Sequence, residues 1–211
     1  KLRLKPGETL LDLGCGWGGL VCHAVQHYGA RAYGVTLAEE QARYAQEKIA
    51  RLGLGDRAKV ECKDYAAVEG TYDKVSAICI LEHVGIDNFE VFYRTVHRAL
   101  KPGGRFVAEF GGHGNVAAIV TAMRAVGLRR GGDLALAHPW YFPAPDVYRA
   151  LLAGHGYAVK RIALIPRPVV LKTGIAEWLM LFRKPFFQQF ENEAEMALTE
   201  TMDLLRPSLC D

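Results

Sequence analysis

LLDLGCGWGG at residues 10–19 sets the apolar strand residues Leu10, Leu11 and Leu13 directly against Gly14, Gly16, Gly18 and Gly19. Glycine accepts left-handed backbone and lets a ligand approach closely, and a helix starting straight after such a turn offers free N–H groups. A strand, a glycine loop and a helix open a Rossmann-like unit, and nicotinamide, flavin and adenosyl sites all use that device. Here the spacing is GxGxGG, with Asp12 two residues before the first glycine. A nicotinamide site also wants an acid about 20 residues on, at the end of the next strand. That strand, AYGVT, ends in Thr36, and the next acids are Glu39 and Glu40. The alternative to a ligand loop is a tight turn that holds nothing.

Outward from the loop, β-branched runs alternate with segments of helical period, the pattern of βαβ units building a parallel sheet. Strands are expected near 9–14, 30–36, 58–63, 72–80 and 104–110, with helices near 18–28, 38–52 and 87–99. In the second helix Ala42, Ala45 and Ile49 form one apolar stripe. Gly53 and Gly55 stop that helix, and Lys101-Pro102-Gly103-Gly104 reads as a turn before the fifth strand. After residue 111 the alternation breaks into an insertion, with a helical run to about Gly127 followed by RRGGDLA and HPWYFP. A helix at about 145–154 and a strand at about 157–165 would add one more unit to the sheet; if the chain is a fragment, that strand exposes an unpaired edge that invites self-association. Two amphipathic helices are expected from 174 onward, and the chain closes on Cys210-Asp211. The fold class is therefore α/β, a doubly wound sheet with a helical insertion after the fifth strand and C-terminal helices. The whole of 1–211 reads as one domain, a cofactor half of about 1–110 and an acceptor half of about 111–211, with both ends open to truncation.

Composition narrows the class. The 211 residues are 50% hydrophobic and 23% charged, an ordinary globular balance rather than a disordered or fibrous one. Lys plus Arg at 26 against Asp plus Glu at 23 gives a net +3, too small to argue for nucleic acid. VSAICIL at 75–81 is strand-sized, far below the ~18 residues of a membrane span. Five cysteines without a CxxC pair, and no signal peptide ahead of them, suggest free thiols and a cytoplasmic setting.

The stretches LKPGETLLDLGCGWGGL, YGVTLAEEQ, KDY, LEHVG and ALKPGGRF, spanning residues 4–106 in order, resemble the class I S-adenosylmethionine-dependent methyltransferases, and within them the cyclopropane-fatty-acid synthases. The resemblance implies S-adenosyl-L-methionine as cofactor. By it, the loop Asp12, Gly14, Cys15, Gly16, Trp17 and Gly18 would face the methionine and ribose, Thr36, Leu37 and Gln41 the ribose and adenosine, and Asp64 and Tyr65 the adenine. A carboxylate can accept from the adenine amino group and an aromatic can stack on the ring. Glu82 of LEHVG would inherit the family's role of holding a bicarbonate general base. Read from the residues alone, Glu82 and His83 are an acid/base pair or simply fix their loop. At the end of the fifth strand, where those synthases carry a histidine, this sequence has Glu109. Two acids around a carbonate repel rather than bind it, which argues against cyclopropanation. The family's upstream ligating cysteine would lie before residue 1.

EFGGHGNV, HPWYFPAPDVYRALLAGHGY and IPRPVVLKTGIAEWLMLFRKPFF, from about 109 to 190, resemble instead the trans-aconitate type of small-carboxylate methyltransferase. That resemblance implies a small acid bound between the insertion and the last helices. Residues 156–190 carry Lys160, Arg161, Arg167, Lys172, Arg183 and Lys184 against Glu177 alone, beside Trp178, Leu181, Phe182, Phe186 and Phe187. An anionic acceptor, a peripheral membrane contact through 175–190, and a solvated face over core aromatics are all consistent with this pattern. His113, His138, Trp140, Tyr141 and Phe142 are candidate pocket walls, and their spacing suits no metal. Proton removal falls to Glu82, Glu109, His83 or His113. The expected function is methyl transfer to a small organic or fatty acid-like acceptor; alternatives are modification of an unsaturated lipid chain, or cofactor binding without catalysis. Oligomeric state stays open.

Overall fold

The computed structural model describes residues 1–209; Cys210 and Asp211 lie outside the described residues. The chain runs β1 (Thr9–Leu13), α1 (Gly19–Tyr28), β2 (Arg31–Thr36), α2 (Glu39–Arg51), β3 (Ala58–Cys62), β4 (Tyr72–Ile78), α3 (Leu81–Val84), α4 (Phe89–Ala99) and β5 (Leu100–Glu109). It continues through α5 (Ala117–Arg130), α6 (Pro145–Gly154), α7 (Gly174–Gln188) and α8 (Ala194–Leu205). The strands form one parallel sheet of order β3-β2-β1-β4-β5. The connection reverses direction at β1, and in open α/β sheets the crevice outside the strand ends at that point is where ligands bind.

The β1 pleat assigns the layers, because successive side chains point to opposite faces. Leu10 packs with Val21 and Val25 of α1 and Ala42, Ala45 and Ile49 of α2. Leu11 and Leu13 pack on the other face with Phe89, Phe92, Tyr93 and Val96 of α4 and with Tyr148 and Leu152 of α6. Helices thus cover both faces, and the doubly wound α/β class holds. At the amino end of the sheet, Asp73 accepts from Thr9 N and Thr9 Oγ1, both at 2.8 Å, and pairs with Lys101 at 2.9 Å. These donors hold its carboxyl well below the usual carboxylate range.

Two expectations need correction. Residues 157–165 form no strand: the sheet has five strands among the described residues, and β3 and β5 are its edges. Tyr157, Val159 and Ile162 still pack against the α4 cluster, anchored by Tyr157 Oη donating to the Tyr93 carbonyl at 2.8 Å. Their apolar side chains are used for packing, not for a ladder, so the argument for self-association through an edge at 157–165 lapses. Secondly, β5 begins at Leu100 rather than 104. The ladder pairs Tyr72 with Leu100 and then Lys74 with Arg105, so the Lys101–Gly104 stretch is a bulge inside the strand, with Gly103 at φ 73°.

The described chain divides into two compact units. One comprises residues 1–111 and 141–162, and holds the sheet; the other comprises 112–140 and the described residues from 163 onward. In the second unit, Ala122, Met123 and Val126 of α5 pack with Leu179, Phe186 and Phe187 of α7 and Ala197 and Leu205 of α8. Arg130 of α5 pairs with Glu193 and, at 3.1 Å, with Glu200 of α8.

Candidate active site

The glycine loop leaves β1 in left-handed backbone, with φ of 67°, 54° and 69° at Gly14, Gly16 and Gly18. Side chains are resisted there for different reasons. A Cβ on Gly14 would lie 2.8 Å from Ile80 Cδ1, and one on Gly18 would lie 2.8 Å from Ala45 Cβ, whereas at Gly16 nothing stands within 4 Å. Gly16 therefore faces open space, leaving its backbone approachable. The loop is hooked onto β2 by Cys15 N donating to the Val35 carbonyl at 2.9 Å. Gly34 makes room for that hook, since a Cβ there would lie 2.7 Å from Cys15 Cβ and 2.8 Å from Val21 Cγ2. Burial, with Asp12 nearby, pushes the Cys15 thiol up to about 12, which keeps it an inert thiol.

Beneath the loop, Asp12 is buried, with Oδ1 accepting from Ser76 Oγ at 2.6 Å. Burial raises its carboxyl to about 7, the Ser76 hydrogen bond opposing the rise. Ser76 carries no chemical signature in the sequence; its role follows from its register partnership with Asp12, which only the sheet order reveals.

The ends of β2 and β3 supply the next group. Thr36 Oγ1 donates to Gln41 Oε1 at 2.8 Å and accepts from Ala38 N at 3.3 Å, fixing the turn into α2. Leu37 within that turn is 70% exposed, and Trp17 of the glycine loop is 54% exposed with its ring edge-on to Tyr44 of α2 at 5.3 Å. Asp64 caps the short turn after β3 by accepting from Ala66 N at 2.8 Å, and Tyr65 packs edge-on against Phe92 at 5.3 Å. A donor set of approachable loop backbone, a fixed threonine–glutamine pair and a carboxylate beside an aromatic fits a nucleoside carrying a small polar tail.

After β4 the chain is strained. Cys79 has φ 54°, and its N–H donates to the Glu109 carbonyl at 2.7 Å. Such backbone concentrates where a site demands it. Glu82 lies in the single turn of α3, and its Oε2 is buried with no hydrogen-bond partner. His83, next to it, is exposed. Glu109 pairs with Lys1, so the acid at the end of β5 is charge-compensated. His113 and His138 fall in the second unit. No group of three or more His, Cys, Asp or Glu side chains able to hold a metal occurs among the described residues.

The family model described as mycolic acid cyclopropane synthetase matches residues 1–122. The chain belongs to the mycolic acid cyclopropane synthetase family. Within this family's reach are curated relatives of two kinds. Over 105 residues the chain is 44% identical to the "Probable fatty acid methyltransferase" of Mycobacterium tuberculosis, covering 49% of this chain and 24% of that one. Over 107 residues it is 37% identical to the cyclopropane-fatty-acyl-phospholipid synthase of Escherichia coli K12, covering 51% and 27% respectively. The chain thus spans about a quarter of the length of either relative. In fold, a cyclopropane synthase from Mycobacterium tuberculosis superposes with a TM-score of 0.61 at 23% identity, covering 98% of this chain and 71% of that one.

Proposed function

We propose that this chain is an S-adenosyl-L-methionine-dependent methyltransferase acting on a fatty acid-like or other small acidic acceptor. The observation that carries the reading is the loop after β1: three left-handed glycines, one facing open space, hooked to β2 beside the Thr36–Gln41 pair. Gly14, Gly16 and Gly18 would take the amino-acid end of the cofactor, Thr36 and Gln41 its ribose, and Asp64 with Tyr65 its adenine. Bound there, the cofactor supplies a methyl group on a sulfonium, which an oxygen or carbon nucleophile takes while the sulfur keeps the electron pair. Metal activation is not required by such chemistry; alignment is the main demand on the protein.

The buried, partnerless Oε2 of Glu82 supports a role at the acceptor. A carboxylate in that position can accept a proton or a hydrogen bond from the reacting group without first giving up another. A carboxylate acceptor needs no proton removed, whereas a carbon acceptor releases one, which Glu82 would receive. The relatives' names favour lipid acceptors. Cyclopropanation of an unsaturated chain is the second reading, favoured by the family match over 1–122 and opposed by Glu109, paired with Lys1, in the place of a histidine.

In the second unit, Leu181 and Phe182 are exposed beside Lys184, which supports peripheral contact with a lipid surface through 175–190. No helix among the described residues is long and apolar enough to cross a membrane. Free thiols at Cys15, Cys22 and Cys62 support a reducing, cytoplasmic setting.

The test has two stages. Calorimetric titration with S-adenosylhomocysteine, with NADH as the control, should give saturable binding for the first only, lost in Gly14→Val. Radiolabelled methyl transfer is then followed on fatty acids and on unsaturated phospholipid vesicles, with and without bicarbonate. Label entering a free acid supports the leading reading, and bicarbonate-dependent labelling of vesicles supports cyclopropanation. Binding of the cofactor product with no transfer to any acceptor leaves a cofactor-binding protein, and absence of binding by the folded chain removes the proposal.

A further inference from the structure

Arg183 stands at a break in α7. Its φ of −128° and ψ of 18° leave the helical region two residues before Pro185, whose ring crowds the carbonyl four residues back and which has no N–H to donate. At this break Arg183 is only 8% exposed, in company with Leu179, Phe186 and Phe187, the other buried residues of the helix. Its guanidinium carbon lies 4.6 Å from the centre of the Trp140 ring. Trp140 lies 6.4 Å from Trp178, which in turn lies 4.9 Å from Phe182. Nε is taken up by the Phe182 carbonyl, but Nη1 is buried and donates to nothing. No carboxylate among the described residues pairs with Arg183.

A guanidinium keeps its charge in proteins, and a buried charge without a counter-charge is strongly disfavoured. The Trp140 face offsets part of this through its quadrupole, yet a ring face does not satisfy an N–H donor. What completes such a group is an anion with two oxygens, matched to the planar fork of the side chain. The surrounding indole and phenyl rings suit an apolar chain attached to that anion. We propose that Arg183, stacked against Trp140, anchors an anion subsite in the second unit that takes the carboxylate or phosphate of an amphiphilic acid. The Proposed function enters at one point only: it makes that acid the methyl acceptor.

Dodecanoate, methyl dodecanoate, dodecyl phosphate and inorganic phosphate are titrated below their aggregation limits, by calorimetry and by tryptophan emission. Dodecanoate should bind saturably and perturb the emission, and its methyl ester should bind at least tenfold more weakly. That comparison uses the unsubstituted chain and survives any folding defect in a variant. Arg183→Met should weaken dodecanoate at least tenfold, with Arg183→Lys recovering part of the loss. Competition by dodecyl phosphate alone assigns the anion to a lipid headgroup, and competition by inorganic phosphate as well assigns it to any free oxyanion; either supports the subsite. Equal binding of acid and ester, or undiminished dodecanoate binding by a folded Arg183→Met chain, overturns it. An S-adenosylhomocysteine titration alongside separates the two readings. Acid binding without cofactor-product binding removes the methyltransferase and leaves the subsite, and the converse removes the subsite alone.

Discussion

Ser76 Oγ donates to Asp12 Oδ1 over 2.6 Å, and the same two residues face each other in the ladder between β4 and β1. The pair places a proton-binding group immediately before the glycine loop, in surroundings dry enough to lift its carboxyl to about 7.

That lift makes stability depend on pH with a definite sign. Unfolded, Asp12 releases its proton near 3.8; folded, it holds it to about 7. Between those values the folded chain binds the extra proton, so stability contributed by this group falls as pH rises from about 4 to 7. The full span is of the order of 4 kcal/mol at 1.36 kcal/mol for each unit of pKa. Urea unfolding at pH 4.5, 6 and 7.5 should show that decline, and Asp12→Asn should flatten it. An unchanged slope in the variant would remove Asp12 as its source.

Gly34→Ala should disturb the loop from a distance. The added carbon would lie 2.7 Å from Cys15 Cβ and 2.8 Å from Val21 Cγ2, so the loop hook and α1 must both give way. A loss of about 1–3 kcal/mol is expected from overpacking of this kind, together with weakened S-adenosylhomocysteine binding. Full-strength binding in the variant would mean that the loop does not touch that ligand.

Glu82→Gln keeps the shape and removes the charge. If Glu82 receives a proton in transfer to carbon, turnover should fall about 100- to 10,000-fold while S-adenosylhomocysteine affinity stays the same. Transfer to a carboxylate oxygen should be far less affected. The ratio of the two losses distinguishes the acceptor atom.

Tyr93→Phe tests how the last part of the first unit is held. Tyr93 Oη donates to Tyr148 Oη at 2.8 Å within the core, and burial together with neighbouring tyrosines pushes its phenol far up. Removing the hydroxyl leaves Tyr148 without that donor and should lower stability by about 1–3 kcal/mol, read by thermal unfolding. Hydrogen exchange in α6 should rise with it; protection equal to the parent would argue that packing alone secures the helix.

The first two strands were legible because each is short and apolar and leads into a glycine loop or a helix of clear period. The strands expected at 9–14 and 30–36 occur at Thr9–Leu13 and Arg31–Thr36. The Lys101–Gly104 stretch has turn chemistry and indeed departs from the ladder, but the pairing resumes at Arg105, something that local residue preference does not encode. The apolar, β-branched run at 157–165 reads as a strand because strand preference records fitness for a half-buried surface, and Tyr157, Val159 and Ile162 occupy such a surface without pairing. At the site, the glycines and Thr36 announce themselves by type and spacing. Ser76 and Arg183 do not: one acquires its part from a neighbouring strand's register, the other from a buried environment where its Nη1 finds no partner. In the sequence Arg183 was one of six basic residues in a run, and nothing local separated it from those left in solvent.

The backbone passes between the two units three times, after residues 111, 140 and 162. No single cleavage can therefore release either unit as an uninterrupted polypeptide. A fragment ending at 111 would lose Tyr148 and Leu152 from the α4 side of the sheet, and the stretch matched by the family model, 1–122, stops inside α5. Recombining one unit with a different counterpart would require joint crossovers at all three passages, so fusion at one boundary is a poor route to exchanging a unit, and substitution in place the better one.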